Sequence, residues 1–136
     1  MTTLGEAIAA AGAKIADLFN TPVEKLIEPP APVKLQTVYI AGPITGVADY
    51  KRAFNQAAND LQVAGYIPLN PAVLPEGMTK AQYMRIDMAM LDSADAVLFL
   101  PGWEDSIGAN IEHAYALYIG KPVAHSIDKL EEVTEQ

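Results

Sequence analysis

From Thr37 the chain reads Thr37-Val38-Tyr39-Ile40-Ala41-Gly42-Pro43-Ile44-Thr45-Gly46. The apolar run 37–41 is too short and too continuous for an amphipathic helix, and the Gly-Pro that follows stops it, so it reads as a buried strand. Residues 66–69, 96–100 and 122–126 repeat the pattern. Helical stretches alternate with these runs: 49–64, stopped by Gly65; 79–93, opened by a Thr79/Gln82 capping box; and 107–119, stopped by Gly120. The order β-α-β-α-β-α-β predicts an α/β fold, a small doubly wound parallel sheet of four to five strands, Rossmann-like or flavodoxin-like, with flanking helices. Ligands of such sheets bind beyond the carboxyl ends of the strands, near the point where strand order reverses.

Upstream of this unit, Leu4, Ile8, Ala11, Ile15 and Leu18/Phe19 recur at helical spacing over 4–19, and Thr21-Pro22-Val23-Glu24 opens a short second helix to Ile27. Glu28-Pro29-Pro30-Ala31-Pro32-Val33 then reads as a semi-rigid linker. Three segments are expected: an N-terminal amphipathic helix with a Pro-rich linker over 1–33, an α/β domain over 34–127, and a solvated acidic tail over 128–136.

The chain of 136 residues has room for one domain, and 51% hydrophobic residues give it a core. Its formal charge of −8, with Lys and Arg scattered, argues against a nucleic-acid partner. Without cysteine there are no disulfides, thiolate metal sites or cysteine nucleophiles, and only His113 and His125 could act as neutral nitrogen ligands, so no metal or other cofactor is expected. No apolar run approaches the ~20 residues of a membrane span, and the start lacks the basic region of a signal peptide. A cytoplasmic protein without a membrane partner is expected.

Three loops at the carboxyl edge hold the unusual residues: 42–46, Asn70-Pro71-Ala72, and 101–108. Glu112 lies about a turn and a half into the helix that follows, where the helix N-terminus is expected to keep its carboxylate ionised and make it a plausible nucleophile for an acetal-like carbon. Its plainer reading is an acidic residue stabilised by the helix dipole. Asp87 sits beside the apolar stripe Met84, Met88 and Leu91, either as a general acid or only as a capping or salt-bridge residue with Arg85 or Lys80. Asp92 and Asp95 read as solvated or turn residues. Gly42, Gly46 and Gly108 permit close approach of a ligand, and Ser106-Ile107-Gly108 opens a helix whose free amides favour an anion; the 42–46 segment reads equally well as a tight turn. Trp103 either stacks on a base or packs. His113 points roughly 100° away from Glu112 on the helix. Neither a dinucleotide fingerprint, a P-loop nor a nucleophile-elbow serine is present.

Tyr39–Gly46, Asp87, Ala94-Asp95-Ala96-Val97, Ser106-Ile107-Gly108-Ala109-Asn110-Ile111-Glu112 and Gly120-Lys121-Pro122 together resemble the nucleoside 2-deoxyribosyltransferase superfamily, over residues 37–126. The likeness is to its short, often phage- or prophage-encoded branch, and also to the 2′-deoxynucleoside 5′-monophosphate N-glycosidases. The resemblance implies that Glu112 attacks C1′ of a 2′-deoxyribonucleoside, that Asp87 handles the proton on the leaving base, and that Tyr39 orients the nucleophile. The deoxyribosyl-enzyme then passes to another base or to water. Gly42, Pro43, Ile44, Thr45, Gly46, Asn70, Trp103, Ser106 and Gly108 are the expected substrate-binding residues, with base choice set by Ile44, Asn70, Met84 and Trp103.

The chain departs from the pattern twice. Six residues before the glutamate it carries Ser106 where the free-nucleoside transferases have an aspartate for the 5′-hydroxyl, which suggests a 5′-monophosphate substrate held with help from Thr45 and Gly46, unless Asp105 turns inward. Residues 121–136 contain no asparagine to lend to a neighbouring subunit, so the neighbour supplies another group or hydrolysis replaces transfer. A homo-oligomer, dimer or higher, is expected from the resemblance. The competing expectations are a non-catalytic nucleotide-binding or sensing protein on the same scaffold, and a partner-docking protein acting through residues 1–27.

Overall fold

The structure, a computed structural model, describes residues 36–134. The expected N-terminal helices, the linker and the boundary at residue 33 lie outside the described residues. Four strands, β1 (Thr37–Ala41), β2 (Ile67–Leu69), β3 (Ala96–Phe99) and β4 (Val123–Ala124), form one parallel sheet in the order β2-β1-β3-β4. Helices α1 (Tyr50–Val63), α2 (Lys80–Ser93) and α3 (Ile107–Tyr118) link successive strands, and a short α4 (Leu130–Thr134) follows the last. The sheet is thus the expected doubly wound parallel one, and each linking helix keeps within one residue of its expected bounds.

The central strands explain the continuous apolar runs. β1 and β3 pair in register from Val38↔Ala96 to Ala41↔Phe99, and each must fill a core on both faces. Val38, Ile40 and Leu98 pack on one side with Phe54, Ala57 and Leu61 of α1. Tyr39, Ala41, Val97 and Phe99 pack on the other with Leu91 of α2 and Ala116 of α3. Each large side chain so buried contributes about 1.5–3 kcal/mol.

The outer strands are shorter than their sequences suggest. β2 begins at Ile67 and carries Pro68, which an edge position tolerates because the missing N–H is not needed by a further strand. β4 reduces to Val123 and Ala124, since His125 and Ser126 turn to solvent once the register with Val97 and Leu98 ends.

The acidic tail departs from expectation. Its first residues do not leave the domain: Leu130 is fully buried in the α1-side core, with Ile127 and Val133 packed against that cluster. The tail alternates acidic with apolar residues, and α4 turns Leu130 inward while Asp128, Glu131 and Glu132 stay exposed.

Strand order reverses between β1 and β3, because α1 leads from β1 to one neighbour and α2 carries the chain back across β1 to the other. The loops leaving those two strands separate there and open a crevice. Two charged residues brace the opposite edge. The Asp95 Oδ2 accepts the Thr37 N–H at 2.8 Å, and Lys121 Nζ donates to the Ala94 carbonyl at 2.6 Å, at the end of α2. Among the described residues no helix is long and apolar enough to cross a membrane.

Candidate functional site

The crevice beyond β1 and β3 is a cleft of about 400 Å³ with three walls. The loop after β1 supplies Gly42, Ile44 and Thr45. α2 supplies Lys80, Tyr83 and Asp87, which stand at i, i+3 and i+7 and so share one helical face. The start of α3 supplies Asp105, Ser106, Gly108 and Glu112.

Local sequence fixes these walls. Thr79 caps α2 through a complete capping box, its hydroxyl accepting the Gln82 N–H and the Gln82 side chain accepting the Thr79 N–H. Ser106 caps α3, its Oγ accepting the Ala109 N–H at 3.3 Å. Asn110 pins the preceding loop from within the helix, its Nδ2 donating to the Glu104 and Ser106 carbonyls at 2.8 Å each.

At the floor stand two carboxyl groups. Glu112 is the sole buried charged side chain among the described residues, 5% exposed, and its Oε2 has no hydrogen-bond partner. Asp87 Oδ1 is likewise buried and unpartnered, and Asp87 makes no ion pair with Lys80 or Arg85, which removes the salt-bridge reading. Behind them Tyr39, 1% exposed, is the hydrogen-bonding neighbour of Glu112.

Burial governs the electrostatics. It lifts Glu112 to about 7, against a downward pull from the Tyr39 hydrogen bond and with a smaller upward push from Asp87. Burial also lifts Asp87 to about 6. The Tyr39 phenol is raised far above its ordinary range by burial, then by the charges of Glu112 and Asp87, so it remains a hydrogen-bond donor. The expectation that the α3 N-terminus keeps Glu112 ionised is therefore not met. The dipole acts within the first turn, and Glu112 lies beyond it in a desolvated position. The pair instead holds about one proton near neutrality.

The structure sorts the remaining expected residues. Ile44, Thr45, Gly42, Ser106 and Gly108 line the cleft. A Cβ on Gly108 would meet only Met84 Cε at 3.7 Å, so packing does not require glycine there. At Gly42 a Cβ would come within 3.0 Å of Leu100 Cβ, so this glycine serves the closeness of two neighbouring strand ends as well as the cleft. Gly46 takes φ +80° in the turn and stands clear of other side chains.

Five expected residues fall outside the cleft, Gly46 among them. Pro43 faces a second recess on the α1 side. Asn70 spends both polar atoms on structure, its Oδ1 accepting the Ala72 N–H at 3.0 Å and its Nδ2 donating to Asn55 Oδ1 at 2.9 Å. Trp103 stacks on His113 with ring centroids 4.2 Å apart and packs on Phe99, on the far side of α3. Met84 does not line the cleft, so of the four residues expected to choose the base only Ile44 is in place.

Sequence reasoning did not place Tyr50, Pro71, Leu74, Lys80, Tyr83, Ile107 or Ala109 among the substrate-binding residues, though all line the cleft. The helical spacing back from Asp87 contains the signal for Tyr83 and Lys80. Tyr83 has a second task, since its hydroxyl donates to the Pro75 carbonyl at 2.6 Å and accepts the Met78 N–H at 3.3 Å, fastening the loop before α2. Among the described residues no group of three His, Cys, Asp or Glu side chains is placed to hold a metal ion.

No curated protein matches the chain. Residues 36–125, from the start of β1 through the end of β4 and including both floor carboxyls, match one family model, and by that match the chain belongs to the family described as "Domain of unknown function (DUF4406)".

Proposed function

We propose that the protein cleaves the N-glycosidic bond of 2′-deoxyribonucleosides or their 5′-monophosphates, acting on the cytoplasmic pool. One observation carries the reading: the two carboxyl side chains lining one cleft, Glu112 and Asp87, each keep a buried oxygen, Oε2 and Oδ1, without a protein partner. Leaving such groups unpaired costs stability, and a substrate that completes their bonding accounts for the cost. In the reaction an ionised Glu112 oxygen attacks C1′ and forms a C1′–O bond as the C1′–N bond breaks. The electron pair leaves with the base, which takes a proton from Asp87. Water or a second base then attacks C1′, the bond to Glu112 breaks, and the displaced proton returns to Asp87. Tyr39 orients the Glu112 carboxyl through its hydrogen bond.

Burial lifts both carboxyls towards neutrality, so near pH 7 the pair can share one proton; the reactive form, with Glu112 ionised and Asp87 protonated, is the minor of its two one-proton forms. We also propose a homo-oligomer. Ile107, Ile111 and Tyr118 recur along one exposed side of α3, and covering that stripe in a second copy would bury apolar surface beside the cleft.

The test is chromatographic detection of free base after incubation with the four deoxynucleosides and their 5′-monophosphates, with and without an acceptor base. Release by the parent and a loss of at least about a thousandfold in Glu112→Ala is expected. Dependence on the acceptor separates transfer from hydrolysis. Ligand binding without release from any substrate would remove the enzymatic reading in favour of a nucleotide-binding protein.

A further inference from the structure

Lys80 is the one basic residue lining the cleft among the described residues, in a domain whose charge is otherwise mostly acidic. It is exposed, and neither its own helix nor its neighbours account for it. It occupies the first position of α2, where the helix dipole disfavours a cation, and no carboxylate lies within ion-pair distance.

The cleft is polarised along its depth. Asp87 lies seven residues further along the same face of α2, a rise of about 10 Å, so carboxyls occupy the floor and the ammonium occupies the mouth. Asp105 also lines the cleft, beside Ser106, whose Oγ accepts the Ala109 N–H and keeps its own O–H to donate. The Asp105 carboxylate thus opposes an anion beside α3, while the Lys80 ammonium attracts one at the α2 wall.

We propose that Lys80 is the specificity-determining residue for a phosphorylated substrate: it holds the phosphate of a deoxynucleoside 5′-monophosphate at the mouth while the glycosidic bond reaches Glu112 and Asp87. This rests on the glycosidic reading above, but moves the anion seat from Ser106 to Lys80.

The test separates the two. In Glu112→Gln, which leaves substrate intact, affinities for a deoxynucleoside and its 5′-monophosphate are measured by calorimetry with Lys80 and with Lys80→Gln. The monophosphate should bind about tenfold more tightly at low salt, Lys80→Gln should abolish the difference while leaving nucleoside affinity unchanged, and Asp105→Asn should widen it. A preference that survives Lys80→Gln, or equal weakening of both compounds, overturns the phosphate role, the latter placing Lys80 against the base. Base release by the parent with no phosphate preference overturns this inference and leaves the glycosidic reading standing. Binding of neither compound overturns both.

Discussion

The Glu112 carboxyl is bought at the expense of stability, and pH exposes the exchange. Its folded value of about 7 lies above the ordinary 4.5, so the native state holds the proton more tightly than the unfolded chain between those values. Stability is then fully present below pH 4.5 and declines as pH rises towards 7. A shift of this size corresponds to about 3 kcal/mol for a group so deeply buried. Glu112→Gln, neutral at every pH, should therefore exceed the parent in urea-denaturation stability by about 2 kcal/mol at pH 8, with the gap closing at pH 4. A gap independent of pH would show that the gain arises from something other than ionisation. Tyr39→Phe acts on the same group in the other direction. The phenol's hydrogen bond pulls Glu112 down, and Glu112 is the higher of the two titrations, so its removal should move the basic limb of the kcat/KM profile up by roughly half a unit to one unit, with the acid limb following less. An unmoved profile would deny the phenol a positioning role.

Between β3 and α3 the chain makes its three-residue turn Trp103–Asp105, and one helical side chain secures it. Asn110 Nδ2 reaches the Glu104 and Ser106 carbonyls, so Asn110→Ala frees the segment that carries Asp105 and Ser106 to the cleft. The expected result is a loss of about 1 kcal/mol in stability with a several-fold rise in KM and little change in kcat, because the floor carboxyls stand on α3 and α2 rather than on the loop. A fall in kcat at constant KM would place the loop in the chemical step. The same element shows what sequence reveals and what it hides. The helix start at Ser106, the capping box at Thr79 and the central strands were legible because their causes are local: a hydroxyl three residues before an amide, or an apolar run of fixed length. Glu112, Asp87 and Tyr39, which the family resemblance grouped and no local pattern joins, stand together on three different elements. Trp103 and Asn70 were misplaced for the opposite reason. Whether an indole next to a crevice faces it or stacks on His113 depends on the packing of α3 against β3, and whether an amide meets a ligand or Asn55 depends on α1, neither of which is written in the neighbouring residues.

At the scale of the whole molecule the last residues decide where the domain ends. The family match stops at residue 125, and on charge alone the following segment looks expendable, since removing it would lighten the net charge of −8 by three and reduce self-repulsion. Packing argues the reverse. Leu130 is fully buried against the face of the sheet that α1 also covers, in the same cluster as Val38, Ile40, Phe54 and Leu61, with Ile127 and Val133 alongside. Truncation after Ser126 would uncover that cluster and leave the outer side of β4, a strand of two residues, with less to hold it. Loss of one such leucine typically costs 2–5 kcal/mol, a large fraction of the roughly 5–15 kcal/mol that stabilises a domain of this size. The truncated chain should therefore melt well below the parent or fail to accumulate as folded protein, whereas Leu130→Ala should lower the urea midpoint by an amount equivalent to about 3 kcal/mol. Because α4 lies on the α1 face while the floor carboxyls lie with α2 and α3, Leu130→Ala protein that remains folded should keep its substrate affinity. A truncated chain with the parent's melting temperature would return residues 127–134 to the status of a solvated tail.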